Sequence, residues 1–299
     1  MSIPMNDICI CCHVTKYLKA GHAAGDEAQT MEFARRIMEK LLKMPADMDS
    51  AWMGAMADQD MQEIYGTDPD ALREEKAFSN RFALERLDRI QSRIEKAPDR
   101  VFAALQFAIL GNYIDFSALR GEVDFSKLEA LLDSYHTLDL DKACYEKFCS
   151  DLQTGKKLLY ITDNAGEIVF DRILAERIKE AYPQLEITFC VRGGPVSNDA
   201  TREDAKEAGI SFPVIDNGTS IGGTVLKVAG EDLKQAVSQA DVILAKGMGN
   251  AESMFGCGYN VYYGFLVKCP RFEEFFKKPK LAPMFIHDTV ICQTKCNTF

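Results

Sequence analysis

The chain has 299 residues, of which 35 are Lys or Arg and 45 are Asp or Glu, so its net charge is −10 at pH 7. Hydrophobic residues make up 47% and charged residues 27%, which is the composition of a globular protein and excludes predominant disorder. The acidic balance argues against general nucleic-acid binding, which needs clustered basic residues, but it leaves room for a local cationic pocket that takes a small anion.

Nothing in the sequence resembles a membrane span or an export signal. The longest apolar run, 101–110, is interrupted by Gln106 and is far shorter than the roughly 20 residues that cross a bilayer. Residues 1–7 lack the basic segment and apolar core of a signal peptide. The ten cysteines are too sparse for a disulfide scaffold, so we expect reduced thiols, a cytoplasmic protein and no membrane partner.

Helical spacing of apolar residues dominates the first half of the chain. The stripe that predicts a helix beginning near Asp26 consists of Ala28, Met31, Ala34, Met38, Leu41 and Leu42. A second stripe consists of Ala83, Leu87, Ile90 and Ile94. Asp99 is a candidate N-cap for a third helix over 100–110, which Gly111 ends. A fourth helix is indicated near Leu128, and the methionine-rich stretch 48–61 shows no clear periodicity.

Short apolar runs alternate with helical patterns after Gly155. The predicted strands cover 157–162, 187–191, 212–215, 241–245 and 283–287, and the predicted helices cover 169–178, 201–209 and 231–240. This alternation predicts an α/β fold with a mostly parallel sheet that is covered on both faces. We therefore expect a helical subdomain near 1–150 and an α/β subdomain near 151–299.

Cysteines cluster near both ends of the chain. Cys9, Cys11 and Cys12 precede His13, and Cys292 and Cys296 lie near the other end. The two groups would suit a structural Zn²⁺ if the ends meet. Buried unpaired thiols are the favoured interpretation, above all for Cys144, Cys149, Cys190, Cys257 and Cys269.

A polar segment, Gly111-Asn112-Tyr113-Ile114-Asp115, follows the third predicted helix. Its simplest role is to end that helix. Asn112 and Asp115 are alternatively candidates to reach across a cleft between the two halves of the chain towards a substrate.

The first predicted strand is followed directly by Asp163-Asn164-Ala165-Gly166-Glu167. Ligands of parallel α/β sheets bind at the carboxyl ends of the strands, which is where Asp163 and Asn164 would lie. Carboxylate and amide oxygens suit Mg²⁺ or Mn²⁺. Gly166 and the free N–H groups at the start of the next helix suit a phosphate. The alternative is a turn that only caps the helix.

Two more loops follow predicted strands at the same edge. The loop 193–201 contains Asp199, which completes a metal site with Asp163 and Asn164 unless it only caps the next helix. The loop that begins at Lys246 supplies a cation and approachable backbone for a phosphate oxygen, unless it is a surface turn. Because parallel strands bring their carboxyl ends together, three such loops in succession favour one shared site.

Four motifs together resemble the damage-control phosphatase family, long known as domain of unknown function 89. They are Asp-Asn-x-Gly-Glu at 163–167, Asn-Asp-x-Thr at 198–201, Lys-Gly-x-Gly-Asn at 246–250 with Glu252, and Gly-Asn-x-Ile-Asp at 111–115. The Cys9-x-x-Cys12 pair resembles the cysteine-bearing, mostly prokaryotic branch. The resemblance implies a helical subdomain packed on a Rossmann-like core of three layers, α/β/α.

The same resemblance implies a metal-dependent phosphatase that acts on small phosphorylated metabolites, such as sugar phosphates or damaged phosphometabolites. Asp163, Asn164 and Asp199 match the metal ligands of the family. Lys246 matches its phosphate-contacting lysine, and its pocket motifs are matched by Asn112, Asp115 and Glu252. Oxygen ligands accept Mg²⁺, Mn²⁺, Co²⁺ and Ni²⁺, so the cation stays open.

The expected reaction is direct attack of water on a phosphomonoester beside the cation. Lys246 and the backbone amides of Gly166 and Glu167 would hold phosphate oxygens, and Asp163 or Asp199 would accept the proton of the water. A phosphoaspartate on Asp163 is the less favoured route, because a carboxylate committed to a metal is a poorer nucleophile.

Two other functions compete with hydrolysis. Carboxyl methyl transfer from S-adenosylmethionine normally needs a glycine-rich turn after the first strand, where this chain has only Gly166. A non-catalytic binding module stabilised by zinc would leave the three polar loops without a role. We therefore rank phosphoester hydrolysis first.

Overall fold

A computed structural model describes residues 3–45, 48–116 and 123–289. The helices of the first half are α1 Asp7–Ala24, α2 Glu27–Lys43, α3 Ser50–Tyr65, α4 Arg73–Leu84, α5 Leu87–Glu95, α6 Arg100–Gly111, α7 Phe125–Asp133 and α8 Lys142–Thr154. Those of the second half are α9 Glu167–Ala181, α10 Arg202–Glu207, α11 Glu231–Gln239, α12 Gly247–Met254 and α13 Pro270–Phe276. The strands are β1 Lys157–Ile161, β2 Glu186–Val191, β3 Val214–Asp216, β4 Val242–Lys246, β5 Val261–Leu266 and β6 Pro283–His287.

The six strands form one sheet in the order β3-β2-β1-β4-β5-β6. All pairings are parallel except that of β5 with β6. The chain moves outwards from β1 to β3 on one side and from β4 to β6 on the other, so the direction of winding changes between β1 and β4. Such a switch point opens a crevice at the carboxyl ends of the strands, where ligands of this class of sheet bind.

Side chains of β1 alternate between two hydrophobic cores. Leu158 and Tyr160 pack with helices α4–α9 on one face, whereas Leu159 and Ile161 pack with helices α11–α13 on the other. Helices therefore cover both faces, which confirms the predicted α/β fold with its mostly parallel sheet. The larger core joins residues from both sides of position 150, and the division into two subdomains at that position stays a prediction.

Helix α2 is where the sequence pattern predicted, but its buried face is different. Met31 is 50% exposed and Leu42 is 87% exposed, although both belong to the predicted apolar stripe. The buried side chains are Thr30, Phe33 and Ile37. They face α1 and α3, because the Phe33 ring packs edge-on against Tyr65, with 5.8 Å between ring centroids.

Other elements also differ from the predicted ones. The stripe predicted as one helix over 83–94 is divided between α4 and α5, which are separated by a turn. The unassigned methionine-rich stretch contains α3, whose Met53 and Met61 are buried against α1 and α2. Strand β5 was not predicted. In the described ranges, no helix combines the length and the apolarity needed to cross a membrane.

The end of α6 is determined by a close contact with α9. Gly111 does not adopt the positive φ of a typical glycine helix stop. A Cβ atom there would lie 2.4 Å from Cδ2 of Phe170 and 3.4 Å from Cα of Glu167. The glycine therefore allows α6 to approach α9, and this approach positions the segment that follows Gly111.

We expect Gly111→Ala to destabilise the protein by about 1–3 kcal/mol, because the added methyl group would overlap the fully buried ring of Phe170. Thermal unfolding followed by circular dichroism measures the effect. Gly54→Ala in α3 is the matched control, since its Cβ would meet only ordinary contacts at 3.6 Å or more and alanine favours a helix. Equal melting temperatures for the two variants would contradict this interpretation.

Candidate functional site

The loops that follow β1 and β2 are tied together by backbone hydrogen bonds. Asn164 and Asp199 form an isolated antiparallel bridge. The Ala200 N–H donates to the Asp163 carbonyl at 2.7 Å, and the Ala165 N–H donates to the Asn198 carbonyl at 2.9 Å. The structure thus brings Asp163, Asn164 and Asp199 together at the carboxyl ends of two neighbouring strands.

The Asp163 carboxylate is buried and surrounded by amides and charges. Its Oδ2 accepts hydrogen bonds from Nδ2 of Asn112 at 2.9 Å and from Nδ2 of Asn164 at 2.6 Å. Burial raises the pKa of Asp163 well above its usual range, and the charges of Glu167 and Asp199 raise it further. The positive charge around Asp163 is therefore too small to offset the effects of burial and of the neighbouring carboxylates on its pKa.

Arg192 is a site residue that the sequence reasoning missed. Its Nε donates to Oδ2 of Asp199 at 2.6 Å, and its Nη1 donates to Oδ1 of Asn250 at 3.1 Å. Its Nη2 lies 3.7 Å from Oδ1 of Asp163 and has no hydrogen-bond partner among the described residues. Burial raises the pKa of Asp199, and Arg192 opposes that rise. The position of Arg192 directly after β2 was the available signal.

Lys268 is a second missed residue, and it holds the segment after α6. Its Nζ donates to the Asn112 carbonyl and to Oδ2 of Asp115, both at 2.6 Å. Lys268 follows β5, so its place at the carboxyl edge could not be inferred without that strand. The structure places Asn112 and Asp115 beside the Asp163 cluster, and their predicted contact with a substrate stays a prediction.

Gly166 contacts the helical half of the chain. Its N–H donates to Oδ1 of Asn80 at 2.6 Å. A Cβ at this position, where φ is +78°, would lie 2.9 Å from atoms of Ser79 and Ile114. The predicted phosphate contact through the Gly166 amide is therefore corrected, because Asn80 already occupies that donor.

Lys246 lies beneath the site with its ammonium group fully enclosed. Its Nζ donates to the Ala108 carbonyl at 2.8 Å and to one oxygen each of Glu167 and Asp171 at 2.7 Å. These three bonds use all three N–H donors of the ammonium group. The predicted contact between Lys246 and a phosphate oxygen is not supported by this geometry.

Glu167 accepts hydrogen bonds through both carboxylate oxygens. Oε1 accepts from Lys246, while Oε2 accepts from Nδ2 of Asn112 and Nδ2 of Asn164, both at 2.9 Å. The Glu167 side chain is fully buried. Its side chain thus binds neighbouring residues of this chain. The sequence analysis assigned the Glu167 backbone amide to a phosphate, and that assignment stays a prediction.

Glu252 is placed away from these contacts. Its carboxyl group is near Asp49 and Arg271, and its backbone carbonyl accepts from the Ile3 N–H at 2.8 Å. Burial and, to a smaller extent, the charge of Asp49 raise the pKa of Glu252 to about 8, although the charge of Arg271 opposes this rise. The helical turn of α12 directs Glu252 towards the N-terminal helices, which the motif alone did not reveal.

Carboxyl groups outnumber cations in this cluster, as far as the described residues show. The carboxyl groups belong to Asp115, Asp163, Glu167, Asp171 and Asp199, and the cations to Lys246, Arg192 and Lys268. Two negative charges remain when all eight groups are ionised. A hard divalent cation bound by the oxygens of Asp163, Asn164 and Asp199 would neutralise them, so these residues fit the metal that the sequence predicts.

Metal sites in proteins can also be formed by His, Cys, Asp and Glu side chains alone. Across residues 3–45, 48–116 and 123–289, no three such side chains are arranged to hold a metal ion. The Asp163–Asn164–Asp199 set is not of that kind, because one of its members is an amide. Cys9 is buried and Cys12 is exposed in α1, both as free thiols, and the proposed zinc partners Cys292 and Cys296 lie outside the described residues.

Known proteins resemble this chain over most of its length. The profile of the damage-control phosphatase ARMT1-like domain matches residues 5–280. An uncharacterised protein of Methanocaldococcus jannaschii is 35% identical over 262 residues, covering 85% of this chain and 84% of that protein. The damage-control phosphatase PH1575 of Pyrococcus horikoshii is 33% identical over 263 residues, covering 85% of this chain and 88% of its own.

A third relative and a solved structure extend these similarities. A damage-control phosphatase of Archaeoglobus fulgidus is 33% identical over 195 residues, which are 64% of this chain and 66% of that protein. The crystal structure of a DUF89 family protein from Pyrococcus horikoshii superposes with a TM-score of 0.79 at 28% identity, covering 95% of this chain and 99% of the other.

Gly247 leaves room for the Asp163 carboxylate, and this contact can be tested. A Cβ at Gly247, where φ is +81°, would lie 2.0 Å from Oδ2 of Asp163. We expect Gly247→Ala to displace that carboxylate and to lower phosphatase activity by roughly 100-fold, as small displacements of reacting groups do. Gly258→Ala is the control, because φ is +84° there and nothing lies within 4 Å. Equal losses in both variants would attribute the effect to backbone strain alone.

The raised pKa of the half-buried Glu252 predicts a dependence of stability on pH. Its folded-state pKa of about 8 lies above the ordinary value of 4.5, so between these pH values the folded state retains a proton that the unfolded state has lost. Stability contributed by this group therefore falls as pH rises through that window. We expect Glu252→Gln to raise Tm by at least about 2 °C at pH 8 and not at pH 4.

Calorimetric melts at the two pH values measure this change. Glu39→Gln is the control, because the Glu39 side chain is 68% exposed. A gain in Tm that is equal at pH 4 and pH 8 would show that the Glu252 carboxyl group is not protonated in the folded protein at neutral pH.

Proposed function

The chain belongs to the damage-control phosphatase ARMT1-like family, and we propose that it hydrolyses phosphomonoesters of small metabolites at the Asp163–Asn164–Asp199 cluster. Phosphatase activity in general is supported by the two relatives named damage-control phosphatases. Sugar phosphates or damaged phosphometabolites are the proposed substrate class. Mg²⁺, Mn²⁺, Co²⁺ or Ni²⁺ is the proposed cofactor, and the cytoplasm the proposed location.

The observation that supports this proposal is the excess of buried carboxyl groups at the switch point of the sheet. Like charges held together in a low-dielectric environment raise each other's pKa values, as Glu167 and Asp199 do for Asp163. Asp163, Asn164 and Asp199 would hold the divalent cation. Such a cation supplies neutralisation of phosphate charge and orientation of water.

Arg192 and Lys268 are the cations that we propose for the phosphate oxygens. Nη2 of Arg192 has no hydrogen-bond partner among the described residues. Lys268 uses two of its donors on Asn112 and Asp115, whereas Lys246 uses three on neighbouring groups. The geometry therefore favours Lys268 over Lys246 for a phosphate contact.

The proposed reaction uses these groups. A water oxygen attacks phosphorus in line with the ester oxygen, and a carboxylate of Asp163 or Asp199 accepts the proton that this water loses. The bond between phosphorus and the ester oxygen breaks, and the departing alkoxide takes up a proton from solvent to become the product alcohol. The carboxyl group then returns to solvent the proton that it accepted. Arg192 and Lys268 stabilise the charge on the phosphoryl oxygens.

The rival functions gain no support from the geometry. The turn at Gly166 is filled by Ser79 and Asn80, so it offers little open backbone for a nucleotide-type cofactor such as S-adenosylmethionine. Neither Cys9 nor Cys12 belongs to a metal-binding cluster within the described residues. Hydrolysis is thus the function that the arrangement supports best.

A screen of phosphorylated metabolites with several divalent ions tests the proposal. We expect activity that a chelator abolishes and that Mn²⁺ or Mg²⁺ restores. We also expect a loss of about 100-fold or more in kcat/KM for Asp199→Asn, because the proposed metal ligand loses its negative charge, which weakens transition-state stabilisation by several kcal/mol.

Asp216→Asn is the matched control, because Asp216 forms a partly exposed ion pair with Arg202 at 2.7 Å, away from the cluster. The proposal fails if phosphatase activity persists after complete removal of metal, or if Asp199→Asn retains the activity of the control.

A further inference from the structure

Four buried side chains form an ionic network beneath the site, which we call the Lys246 network. It consists of Lys246, Glu167, Asp171 and Tyr160. Oδ1 of Asp171 accepts from Nζ of Lys246 at 2.7 Å and from the Tyr160 hydroxyl at 2.8 Å. The side chains of Lys246, Glu167 and Asp171 have no exposed surface, and Tyr160 is equally buried. Sequence analysis singled out neither Tyr160 nor Asp171.

Lys246 also anchors the network to the helical half of the chain. The Asn112 N–H donates to the Ile109 carbonyl at 3.2 Å, so the Ala108 carbonyl in the last turn of α6 is left for another donor, which Lys246 supplies at 2.8 Å. A cation at the C-terminal end of a helix is also favoured by the helix dipole. The ammonium group is therefore fixed from three directions.

Glu167 transmits this fixed geometry to the amide of Asn164. Its Oε2 accepts from Nδ2 of Asn164 at 2.9 Å and, more weakly, from the Asn164 backbone N–H at 3.3 Å. Nδ2 of Asn164 also donates to Oδ2 of Asp163 at 2.6 Å. With its NH₂ group bound on both sides, the amide can present only its carbonyl oxygen to a ligand.

The orientation of this amide has a direct electrostatic consequence. An amide rotated by half a turn would direct its NH₂ group at the cation site, where two partial positive charges would repel the ion. Groups that orient metal ligands in this way govern metal affinity although they never touch the metal.

We propose that Lys246, Asp171 and Tyr160 are positioning residues that act through Glu167 to hold the Asn164 carbonyl oxygen towards the cation. This inference rests on the proposed function of the Asp163–Asn164–Asp199 cluster. It gives Lys246 a role different from that of a phosphate-contacting group.

The direction in which Lys246→Met changes the affinity for Mn²⁺ distinguishes the positioning role from a phosphate-contacting role. Lys246→Met removes a positive charge near the cation site, so electrostatic repulsion alone would make Mn²⁺ bind more tightly. A phosphate-contacting lysine would therefore leave Mn²⁺ binding in the absence of phosphate unchanged or tighter, and its loss would weaken binding of inorganic phosphate. The positioning role predicts that Mn²⁺ binds about 10- to 100-fold more weakly.

Mn²⁺ titration followed by electron paramagnetic resonance, without substrate, measures this affinity directly. Tighter or unchanged Mn²⁺ binding by Lys246→Met would overturn the proposal. Because that variant leaves two buried carboxylates without their cation, Tyr160→Phe provides a second test that changes no charge. It removes one neutral donor to Asp171, and we expect Mn²⁺ to bind about 2- to 10-fold more weakly.

Tyr262→Phe is the matched control for Tyr160→Phe. The Tyr262 hydroxyl donates to Oδ2 of Asp151 at 2.6 Å, so the same kind of strand-to-helix bond is lost. Among the described residues, neither Tyr262 nor Asp151 forms a hydrogen bond with the side chain of Glu167. We expect Mn²⁺ binding by this control to equal that of the wild type. Equal Mn²⁺ affinities of Tyr160→Phe and Tyr262→Phe would contradict the inference.

A readout that needs no metal distinguishes this inference from the proposed function. In protein labelled with ¹⁵N-asparagine, the side-chain amide signals of Asn112 and Asn164 should shift and exchange faster in Tyr160→Phe than in Tyr262→Phe. If the wild type binds no Mn²⁺, the proposed function fails while these signals still test the positioning. Unchanged amide signals in Tyr160→Phe would overturn the positioning role alone.

Discussion

Two backbone hydrogen bonds hold the site together against its own charge. They join the loops after β1 and β2, from Ala200 to Asp163 at 2.7 Å and from Ala165 to Asn198 at 2.9 Å. The buried carboxylates of Asp163 and Asp199 would otherwise move apart, because repulsion between like charges is strong where water is excluded. Backbone groups do not titrate, so this constraint persists at any pH at which the sheet is folded. The cations of the site compensate the negative charge that this constraint holds together.

Cations compensate the trapped charge from three sides. Arg192 contacts Asp199, Lys268 contacts Asp115, and Lys246 contacts Glu167 from below. Burying ionised groups costs more free energy than packing apolar side chains of the same size, even when the groups are paired. Stability alone therefore does not account for so many buried charges at the edge of a sheet. A ligand-binding role does, because strongly perturbed carboxyl groups in a crevice are typical of functional sites.

Local sequence patterns predicted most strands of the sheet but did not predict many of the side-chain contacts around it. Apolar runs located β1, β2 and β4, and the rule that parallel strands share one carboxyl edge placed Asp163 next to Asp199. Strand β5 was not predicted, because its tyrosines and Gly264 do not form a plain aliphatic run. Lys268 follows this strand and was missed for the same reason. The buried face of α2 depends on the aromatic contact between Phe33 and Tyr65, which helical spacing alone does not encode.

The motif that contains Lys246 gives its position after the other residues of β4 but not the direction of its side chain. All five residues of β4 are buried, so no alternation of polar and apolar residues tells which face of the sheet its last side chain joins. Its stem packs 3.4 Å from the position of a Cβ on Gly264, and its ammonium group meets a carbonyl of α6 and two carboxylates of α9. The direction of the side chain is thus decided by helices that lie far from it in sequence. The helical layer is therefore part of the site, because α6 supplies Asn112 together with the carbonyl that fixes Lys246.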